Sequence, residues 1–379
     1  MKFLHIADLH IGKRVHERSM LEEQRHAFNQ IVALAKAEQV DAVLIAGDVF
    51  DRPQPPREAL EECERLYAGL IGAGAKVFVI PGNHDSAQQV AFCSSITAAA
   101  GLHIARAYRG DIACFRLEDE AGPVDIHLLP FVRPTDVRVA LPERADEIRS
   151  HDDAVRIALE EHEIDANARN VLVAHQFVVD GTCEPATCES ESVSVGGIDS
   201  VQAANFDAFD YVALGHLHGP QQVRRPQVRY SGSPVRYSFS EANQRKVACV
   251  VELKEDGATY REVELEPIHR MREVVASFKE LAAGLDTQDH NDYMRIVLTD
   301  MSLYDAMNKV RALYPNLMAL DWQRARDGGR TSHDEVKTIK AKSITELFGE
   351  FYQEQTETPL SEEARELFAA VVDAQEVSA

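Results

Sequence analysis

The segment Phe3-Leu4-His5-Ile6-Ala7-Asp8-Leu9-His10 decides the fold, because an apolar run ends there in two metal-binding side chains. Runs of four to six apolar residues are typical of buried strands. Similar runs cover residues 42–46, 77–80, 171–174 and 211–214, and they precede Gly47-Asp48, Gly82-Asn83-His84, His175 and Gly215-His216-Leu217-His218. Polar side chains at the carboxyl ends of strands meet in the crevice where α/β folds place their sites. These residues are therefore predicted to lie together.

The candidate ligands form a mixed set of carboxylate, amide and imidazole groups. In chain order they are Asp8, His10, Asp48, Asn83, His175, His216 and His218. Such a mixture suits manganese, iron or zinc, whereas sites made of oxygen alone suit magnesium or calcium. A pair of ions about 3.5–4 Å apart needs one carboxylate that reaches both ions. A lone histidine such as His175 is by itself more typical of a hydrogen-bonded core, but five such segments in order favour a dinuclear metal centre.

The same segments carry a resemblance to a known family. Their order, Asp-x-His, Gly-Asp-x-x-Asp, Gly-Asn-His-Asp, His and Gly-His-x-His, resembles the calcineurin-like metallophosphoesterase superfamily. The amino-terminal segment and Tyr230-Ser231-Gly232-Ser233-Pro234 are similar to the SbcD-type nuclease subunits of bacterial DNA-end-processing complexes. The resemblance covers the whole chain and is looser after about residue 270. It implies an α/β fold, a four-layer sandwich of two mixed sheets flanked by helices, followed by a small α/β capping domain and C-terminal helices.

The resemblance also implies roles for individual residues. The first of two divalent ions, expected to be Mn²⁺, would be held by Asp8, His10, Asp48 and His218. The second would be held by Asp48, Asn83, His175 and His216, with Asp48 as the bridge. His84 is predicted to protonate or stabilise the leaving oxygen. Asp51 has two interpretations: its carboxylate orients His84, or it caps a helix that starts near Pro55.

The implied activity is that of a DNA nuclease in double-strand-break repair and recombination. It would be a manganese-dependent exonuclease on duplex ends and an endonuclease on single strands and hairpins. ATP would be used by a partner, because the chain contains no Gly-x-x-x-x-Gly-Lys-Ser/Thr phosphate loop. The alternative is a metallophosphatase acting on phosphomonoesters or small-molecule phosphodiesters. The segment 47–52 matches most of the phosphatase motif Gly-Asp-x-x-Asp-Arg-Gly, but Pro53 replaces its final glycine.

Four regions are predicted. They are a nuclease domain at 1–267, a capping or DNA-binding domain at 268–325, a linker at 326–342 and a helical partner-docking segment at 343–379. Within the nuclease domain, helices are predicted over 17–39 and 56–71. The capping domain is predicted to contain strands at 272–275, 293–298 and 317–324, and helices at 278–283 and 302–313.

The docking segment carries apolar residues at helical spacing, with nine acidic residues and one Arg in its 37 residues. The resemblance implies that it docks on the coiled-coil base of an SbcC-type ATPase. The competing interpretation is that its helices fold back on their own domain. A homodimer within a heterotetramer is expected by analogy.

Charge and composition limit the function further. The chain has 379 residues, 45% of them hydrophobic, and a formal net charge of −22, which is unusual for a protein that binds DNA unaided. Basic residues are concentrated at 222–246, with six Arg or Lys against Glu241, and at 324–342, with six against three acids. These clusters are expected either to face DNA or to form a solvated surface.

Other features of the chain predict its environment. No apolar stretch approaches the ~20 residues that span a bilayer, and the chain starts at once with a strand, so no signal peptide is expected. The six cysteines show no disulfide or metal-type spacing and are expected to be reduced. A cytoplasmic enzyme without membrane contact is predicted.

Overall fold

The computed structural model describes residues 1–191, 199–286, 288–300 and 302–323, together with 361, 364 and 365. The predicted linker at 326–342 and nearly all of the predicted docking segment at 343–379 lie outside the described residues. Met1–Gln323 form one compact unit, to which all the elements below belong.

Nineteen strands and eight α-helices occur in the described part of the chain. The strands are β1 Lys2–Ile6, β2 Arg14–Val15, β3 Arg18–Ser19, β4 Ala42–Ala46, β5 Lys76–Ile80, β6 Leu102–Ile104, β7 Ala113–Asp119, β8 Gly122–Leu129, β9 Arg169–His175, β10 Phe177–Val179, β11 Ser200–Gln202, β12 Tyr211–Gly215, β13 Gln221–Val223, β14 Arg225–Tyr230, β15 Val247–Lys254, β16 Gly257–Glu264, β17 Met271–Ala276, β18 Tyr293–Leu298 and β19 Leu317–Trp322. The helices are α1 Leu21–Glu38, α2 Arg57–Gly72, α3 Ala87–Val90, α4 Ser94–Thr97, α5 Pro134–Ala140, α6 His151–Glu160, α7 Phe278–Ala282 and α8 Ala306–Leu313.

Two six-stranded mixed sheets pack face to face. The first has the order β16-β15-β1-β4-β5-β6, and the second has the order β13-β14-β12-β9-β8-β7. Apolar side chains from both sheets, such as Phe3, Phe78 and Tyr211, form the inner core between them. Alternate residues along each strand point to opposite faces, so each sheet also has an outer face, and helices cover it. Residues of α1 and α2 pack on the first sheet, and residues of α5 and α6 pack on the second. The predicted α/β four-layer sandwich is confirmed.

The helix predicted over 17–39 begins later than expected. Strands β2 and β3 form a short antiparallel hairpin before α1. His16 and Glu17 turn the chain with positive φ angles of 44° and 66°, the conformation of a two-residue hairpin turn. Neither residue is a Gly or Asn, so the sequence carried no recognisable turn signal at this point. The helix predicted over 302–313 is likewise shorter and spans Ala306–Leu313.

A smaller unit follows β16. Strands β17, β18 and β19 form a three-stranded parallel sheet, with α7 and α8 connecting them. A separate apolar cluster, which includes Met294, Ile296, Val310 and Tyr314, fills the space between this sheet and its helices. The order strand, helix, strand, helix, strand is the one predicted. The domain boundary at residue 267 stays a prediction.

The sheet order places the candidate ligands. Strands β1, β4 and β5 are parallel neighbours in the first sheet, and β9 and β12 are parallel neighbours in the second. Their carboxyl ends therefore lie at one edge of each sheet, where the two sheets meet. Among the helices that the structure describes, none is long and apolar enough to cross a bilayer.

Candidate metal centre

All seven predicted ligands converge at this edge, and hydrogen bonds across the two sheets fix them there. The backbone N–H of His216 donates to Oδ1 of Asp8 at 2.9 Å. Nδ1 of His175 donates to the carbonyl oxygen of Ala46 at 2.8 Å. Six of the seven ligands are buried, and Asn83 is half-buried.

Four of the residues form one group around His10. Its Nε2 lies 3.1 Å from Nε2 of His218 and 3.6 Å from Oδ2 of Asp48. Ligand atoms of Asp8, His10 and His218 all lie within 4.8 Å of one another. These four residues are the set predicted for the first ion.

The remaining ligands form a second group that shares Asp48. Nε2 of His175 lies 3.4 Å from Oδ2 of Asp48 and 3.0 Å from Oδ1 of Asn83. Oδ1 of Asn83 also lies 3.1 Å from Nδ1 of His216. Oδ2 of Asp48 is therefore the carboxylate oxygen near both groups, which is the position that a bridging ligand needs.

An unused polar atom supports a metal at this place. Oδ2 of Asp8 is buried and makes no hydrogen bond within the described part of the chain. A buried polar atom without a partner costs about 1–3 kcal/mol, so such atoms are uncommon unless a ligand uses them. Burial acts to lower the pKa of His175, but Asp48 outweighs it and raises that pKa to about 9, so a cation bound at Nε2 would replace a proton there. The donor set thus fits two divalent cations.

The electrostatics of the site point the same way. Burial raises the pKa of Asp8 well above its usual value, and the nearby charge of Asp48 adds to this effect. Burial also acts to raise the pKa of Asp48, but His175 and His10 outweigh it and lower that pKa well below its usual value. Burial lowers the pKa of His216 to about 3, so its imidazole is neutral near pH 7, as metal binding requires. Buried carboxylates of this kind are normally paired or coordinate metals.

The backbone around the ligands is strained. Asp8, His10, Asp48 and His216 have positive φ angles of 52°, 41°, 48° and 107°. Such conformations cost of order 1–3 kcal/mol each and cluster at functional sites. The glycine of the Gly-His-x-His motif is required by close packing, since a Cβ on Gly215 would lie 1.8 Å from the carbonyl oxygen of Ala46.

His84 lies beside the first group. Its ring meets that of His10 edge-on, with centroids 4.8 Å apart. Its backbone N–H donates to Oδ1 of Asp48 at 2.9 Å, and its Nδ1 donates to the backbone carbonyl of Asp51 at 3.1 Å. Since Nδ1 carries that proton, Nε2 is the candidate nitrogen for proton exchange with substrate.

The carboxylate of Asp51 has a different partner from the two that were expected. Its Oδ1 accepts a hydrogen bond from Nζ of Lys13 at 2.7 Å, while its backbone carbonyl contacts His84. Helix α2 has Pro56 at its N-cap, and no side chain within the described residues caps it. The helix-cap interpretation of Asp51 is therefore wrong.

A buried ion pair that sequence reasoning missed supports His218. Nζ of Lys246 donates to the backbone oxygen of His218 at 3.0 Å and to Oε2 of Glu241 at 2.5 Å. Oγ of Ser190 lies 2.7 Å from Nδ1 of His218 and donates to Oε1 of Glu241 at 2.5 Å. Lys246 and Glu241 are both almost fully buried, so they fix the imidazole from behind. Nothing local in the sequence marked this pair, because His218 is distant in the chain.

Two further side chains hold the ligand loops without having been predicted. The carboxylate of Asp85 accepts hydrogen bonds from the backbone N–H groups of Val49, Phe50 and Gly82, which links the loops of Asp48 and Asn83. Nε2 of Gln24 donates to the carbonyls of Leu9 and His10. Asp85 belongs to the Gly-Asn-His-Asp motif, whereas no sequence pattern marked Gln24.

The basic cluster at 222–246 is not a continuous surface. Arg229 is 1% exposed, stacks 3.6 Å from the ring centroid of Tyr260 and pairs with Glu262. Lys246 is buried with Glu241. Two of the six cations are therefore structural, and the expectation that they belong to a DNA-facing or solvated surface is wrong.

Comparison with known proteins places the chain in a family. The sequence model described as Calcineurin-like phosphoesterase matches residues 1–220. The chain belongs to this family. A second model, described as Type 5 capsule protein repressor C-terminal domain, matches residues 267–356.

Two curated relatives of this calcineurin-like phosphoesterase resemble it over nearly its whole length, and both are named as the D component of the nuclease SbcCD. The protein of Staphylococcus epidermidis is 30% identical over 371 residues, which cover 96% of this chain and 95% of the relative. The protein of Staphylococcus saprophyticus subsp. saprophyticus is 29% identical over 362 residues, which cover 94% and 93% of the two chains. A solved dimetal phosphatase from Danio rerio is 13% identical, covering 70% of this chain and 97% of its own, with a TM-score of 0.41.

Proposed function

We propose that this chain is a metal-dependent DNA nuclease that acts as the nuclease subunit of an SbcCD-type complex. The observation that carries the proposal is the convergence of seven metal-binding side chains, six of them buried, at one edge of a phosphoesterase fold. Similarity to two proteins named as the D component of the nuclease SbcCD, over about 95% of the chain, favours DNA over a phosphomonoester as substrate. The substrates proposed are DNA ends, hairpins and single strands during repair and recombination in the cytoplasm.

Each residue has a role in the proposed reaction. Asp8, His10, Asp48 and His218 would hold one Mn²⁺ ion, and Asp48, Asn83, His175 and His216 would hold the other. Two cations held there would supply Lewis-acid polarisation of the phosphoryl oxygens and a lowered pKa for a water at the site, the chemistry that in-line hydrolysis of a phosphodiester needs.

The acid is supplied by the chain itself. His84 donates its Nε2 proton to the leaving oxygen of the DNA, and the Asp51 carbonyl keeps the ring oriented through Nδ1. The carboxylate of Asp51 holds Lys13 beside the site.

The proposal includes partners. An SbcC-type coiled-coil ATPase would dock on residues 343–379, and two copies of the chain would form a homodimer within a heterotetramer. The strong negative charge of the chain supports this, because phosphate neutralisation supplies most of the affinity of DNA-binding proteins. Deletion of 343–379 is expected to abolish co-purification with such an ATPase while leaving Mn²⁺ binding intact. Unchanged co-purification would refute the docking assignment.

The activity itself is tested with matched substrates. Purified chain and Mn²⁺ are incubated with end-labelled single-stranded DNA, a DNA hairpin or p-nitrophenyl phosphate. We compare the wild type with His84→Gln and with His26→Gln, a control on helix α1. DNA cleavage that is lost in His84→Gln, with bound Mn²⁺ unchanged, and kept in the control is the expected result. Turnover of the monoester alone would instead identify a phosphatase.

A further inference from the structure

A second set of metal-binding side chains lies on the outer face of the second sheet, away from the metal centre. Strands β7 and β8 are antiparallel, with Cys114 directly opposite His127. Sγ of Cys114, a carboxylate oxygen of Asp125 and a ring nitrogen of His127 lie within 4.8 Å of one another. His162, two residues after α6, brings its Nε2 to 2.7 Å from Nδ1 of His127. His127 thus has two sets of neighbours, Cys114 and Asp125 on the hairpin and His162 at the end of α6.

The tautomer of His127 follows from its neighbour Asn170. Both N–H groups of the Asn170 amide have partners, since Nδ2 donates to the carbonyls of Asp165 and Ala168 at 3.0 and 2.8 Å. Oδ1 of Asn170 is therefore an acceptor, and Nε2 of His127, 2.9 Å away, must donate to it. Nδ1 of His127 is left with a lone pair that faces His162. An imidazole fixed in this way by an oxygen on its other nitrogen is the usual arrangement of a metal ligand.

We propose that Cys114, His127 and His162 form a second metal site, suited to a borderline-soft cation such as Zn²⁺. One thiol and two imidazoles match the ligand types that zinc prefers. The thiolate distinguishes this site from the metal centre, whose predicted ligands are carboxylate, amide and imidazole groups. The bound ion would tie the edge hairpin β7–β8 to the end of α6. This proposal is independent of the nuclease function.

Formation of such a site requires the side chains to move. Zn–N bonds of about 2.0–2.1 Å in a tetrahedron require the two ring nitrogens to lie roughly 3.3 Å apart, so they must separate by about 0.6 Å. Cys114 is exposed and His162 is half-buried, which gives the ion a path from solvent. Both oxygens of Asp125 are held by Arg116 at 2.7 and 2.6 Å. The carboxylate is therefore a neighbour of the site, and the fourth position is left for water.

Cobalt substitution tests the proposal, because a thiolate bound to Co²⁺ gives a near-ultraviolet charge-transfer absorption that nitrogen and oxygen ligands do not give. The predicted ligands of the catalytic centre include no sulfur. Cys188 lies near His218, however, and needs its own control. We therefore titrate the full-length metal-free protein with Co²⁺ and compare it with Cys114→Ser, His162→Gln, Cys188→Ser and Cys93→Ser.

The proposal predicts a distinct outcome for each variant. The wild type, Cys188→Ser and Cys93→Ser should show the absorption with one thiolate-bound Co²⁺ per chain, and added Zn²⁺ should remove it. Cys114→Ser should lose it. His162→Gln should weaken cobalt binding by more than the roughly 10- to 100-fold that loss of a supporting hydrogen bond costs. No absorption in the wild type, loss in Cys188→Ser, or full affinity in His162→Gln would each overturn the proposal.

Alkylation provides a second measurement that does not depend on any variant folding. Cys93, Cys114 and Cys183 are all exposed thiols in the same molecule. Zn²⁺ should slow alkylation of Cys114 several-fold and leave the rates of Cys93 and Cys183 unchanged. Equal rates with and without Zn²⁺ at Cys114 would mean that the two imidazoles form only a hydrogen bond.

Discussion

Removal of the Lys246 ammonium should destabilise the protein strongly. This side chain is 2% exposed, and the three N–H groups of its Nζ face four oxygens within hydrogen-bond distance, those of His218, Ser233, Glu241 and Gln244. Lys246→Met leaves the buried Glu241 charge without its cation. Breaking a buried pair in this way costs about 3–5 kcal/mol. At 2–4 °C per kcal/mol, the melting temperature should fall by roughly 6–20 °C.

Two further variants make the prediction specific. Lys246→Met/Glu241→Gln removes the stranded charge and keeps an acceptor for Ser190, so it should be about 1–3 kcal/mol more stable than Lys246→Met alone. Arg57→Met is the control, because Arg57 and Glu61 form an exposed helical pair with side chains 85% and 56% exposed. Such a pair contributes about 0.3–0.5 kcal/mol.

Calorimetry in EDTA measures these differences without a contribution from bound metal. The reasoning is refuted if Lys246→Met costs less than about 1 kcal/mol, well below the range for a broken buried pair. It is also refuted if the double variant is no more stable than the single one. A loss of Mn²⁺ affinity in Lys246→Met would show in addition that the Lys246–Glu241 pair positions His218.

Three other predictions concern packing, pH and metal. Gly215→Ala should prevent normal folding, because its Cβ would lie 1.8 Å from a carbonyl oxygen. Gly72→Ala has open space around the new Cβ at the end of α2 and should be neutral or stabilising by up to about 1 kcal/mol. Thermal melts followed by circular dichroism distinguish the two outcomes. Burial lowers the pKa of His5 from 6.5 to about 3, so the unfolded chain binds a proton below pH 6.5 that the folded chain does not, and stability should fall on acidification. At about 1.36 kcal/mol per pH unit, His5 accounts for roughly 2 kcal/mol between pH 6.5 and pH 5. His5→Gln should therefore flatten the dependence of melting temperature on pH, and a slope equal to that of the wild type would contradict the assignment. Saturating Mn²⁺ at about 100 times its dissociation constant should raise the free energy of unfolding by about 2.7 kcal/mol per site relative to EDTA, and Asp48→Asn should reduce that gain; an equal gain in this variant would exclude the bridging role.

The ligand positions could be predicted because each follows a feature that is local in sequence. A buried strand needs a short apolar run, and a parallel sheet aligns the ends of its strands at one edge. Asp8 follows such a run directly, and Asp48 and His216 follow one after a single glycine, so the sequence and the fold carry the same information there. Which side chains coordinate which ion is not decided by that argument, and those roles stay a prediction.

The supporting residues were not predicted because the sequence does not show that they are buried. Lys246 and Arg229 were counted as surface cations by residue type alone, although a buried cation is stable when a carboxylate or a ring meets it. The partner of Arg229, Tyr260, is distant in the chain, whereas Glu241 is only five residues from Lys246, and the burial of that pair is evident only once the strands are assembled. The cysteine of the second metal site was missed because positions 114, 127 and 162 have no characteristic spacing.

Manganese stoichiometry measured together with DNA cleavage tests the central proposal most directly. Metal-free protein is titrated with Mn²⁺, bound metal is followed by electron paramagnetic resonance, and hairpin cleavage is measured in the same samples. The proposal predicts two bound Mn²⁺ ions per chain, with cleavage rising as the second ion binds. Cleavage that persists in EDTA, or that is complete with one ion bound, would contradict it.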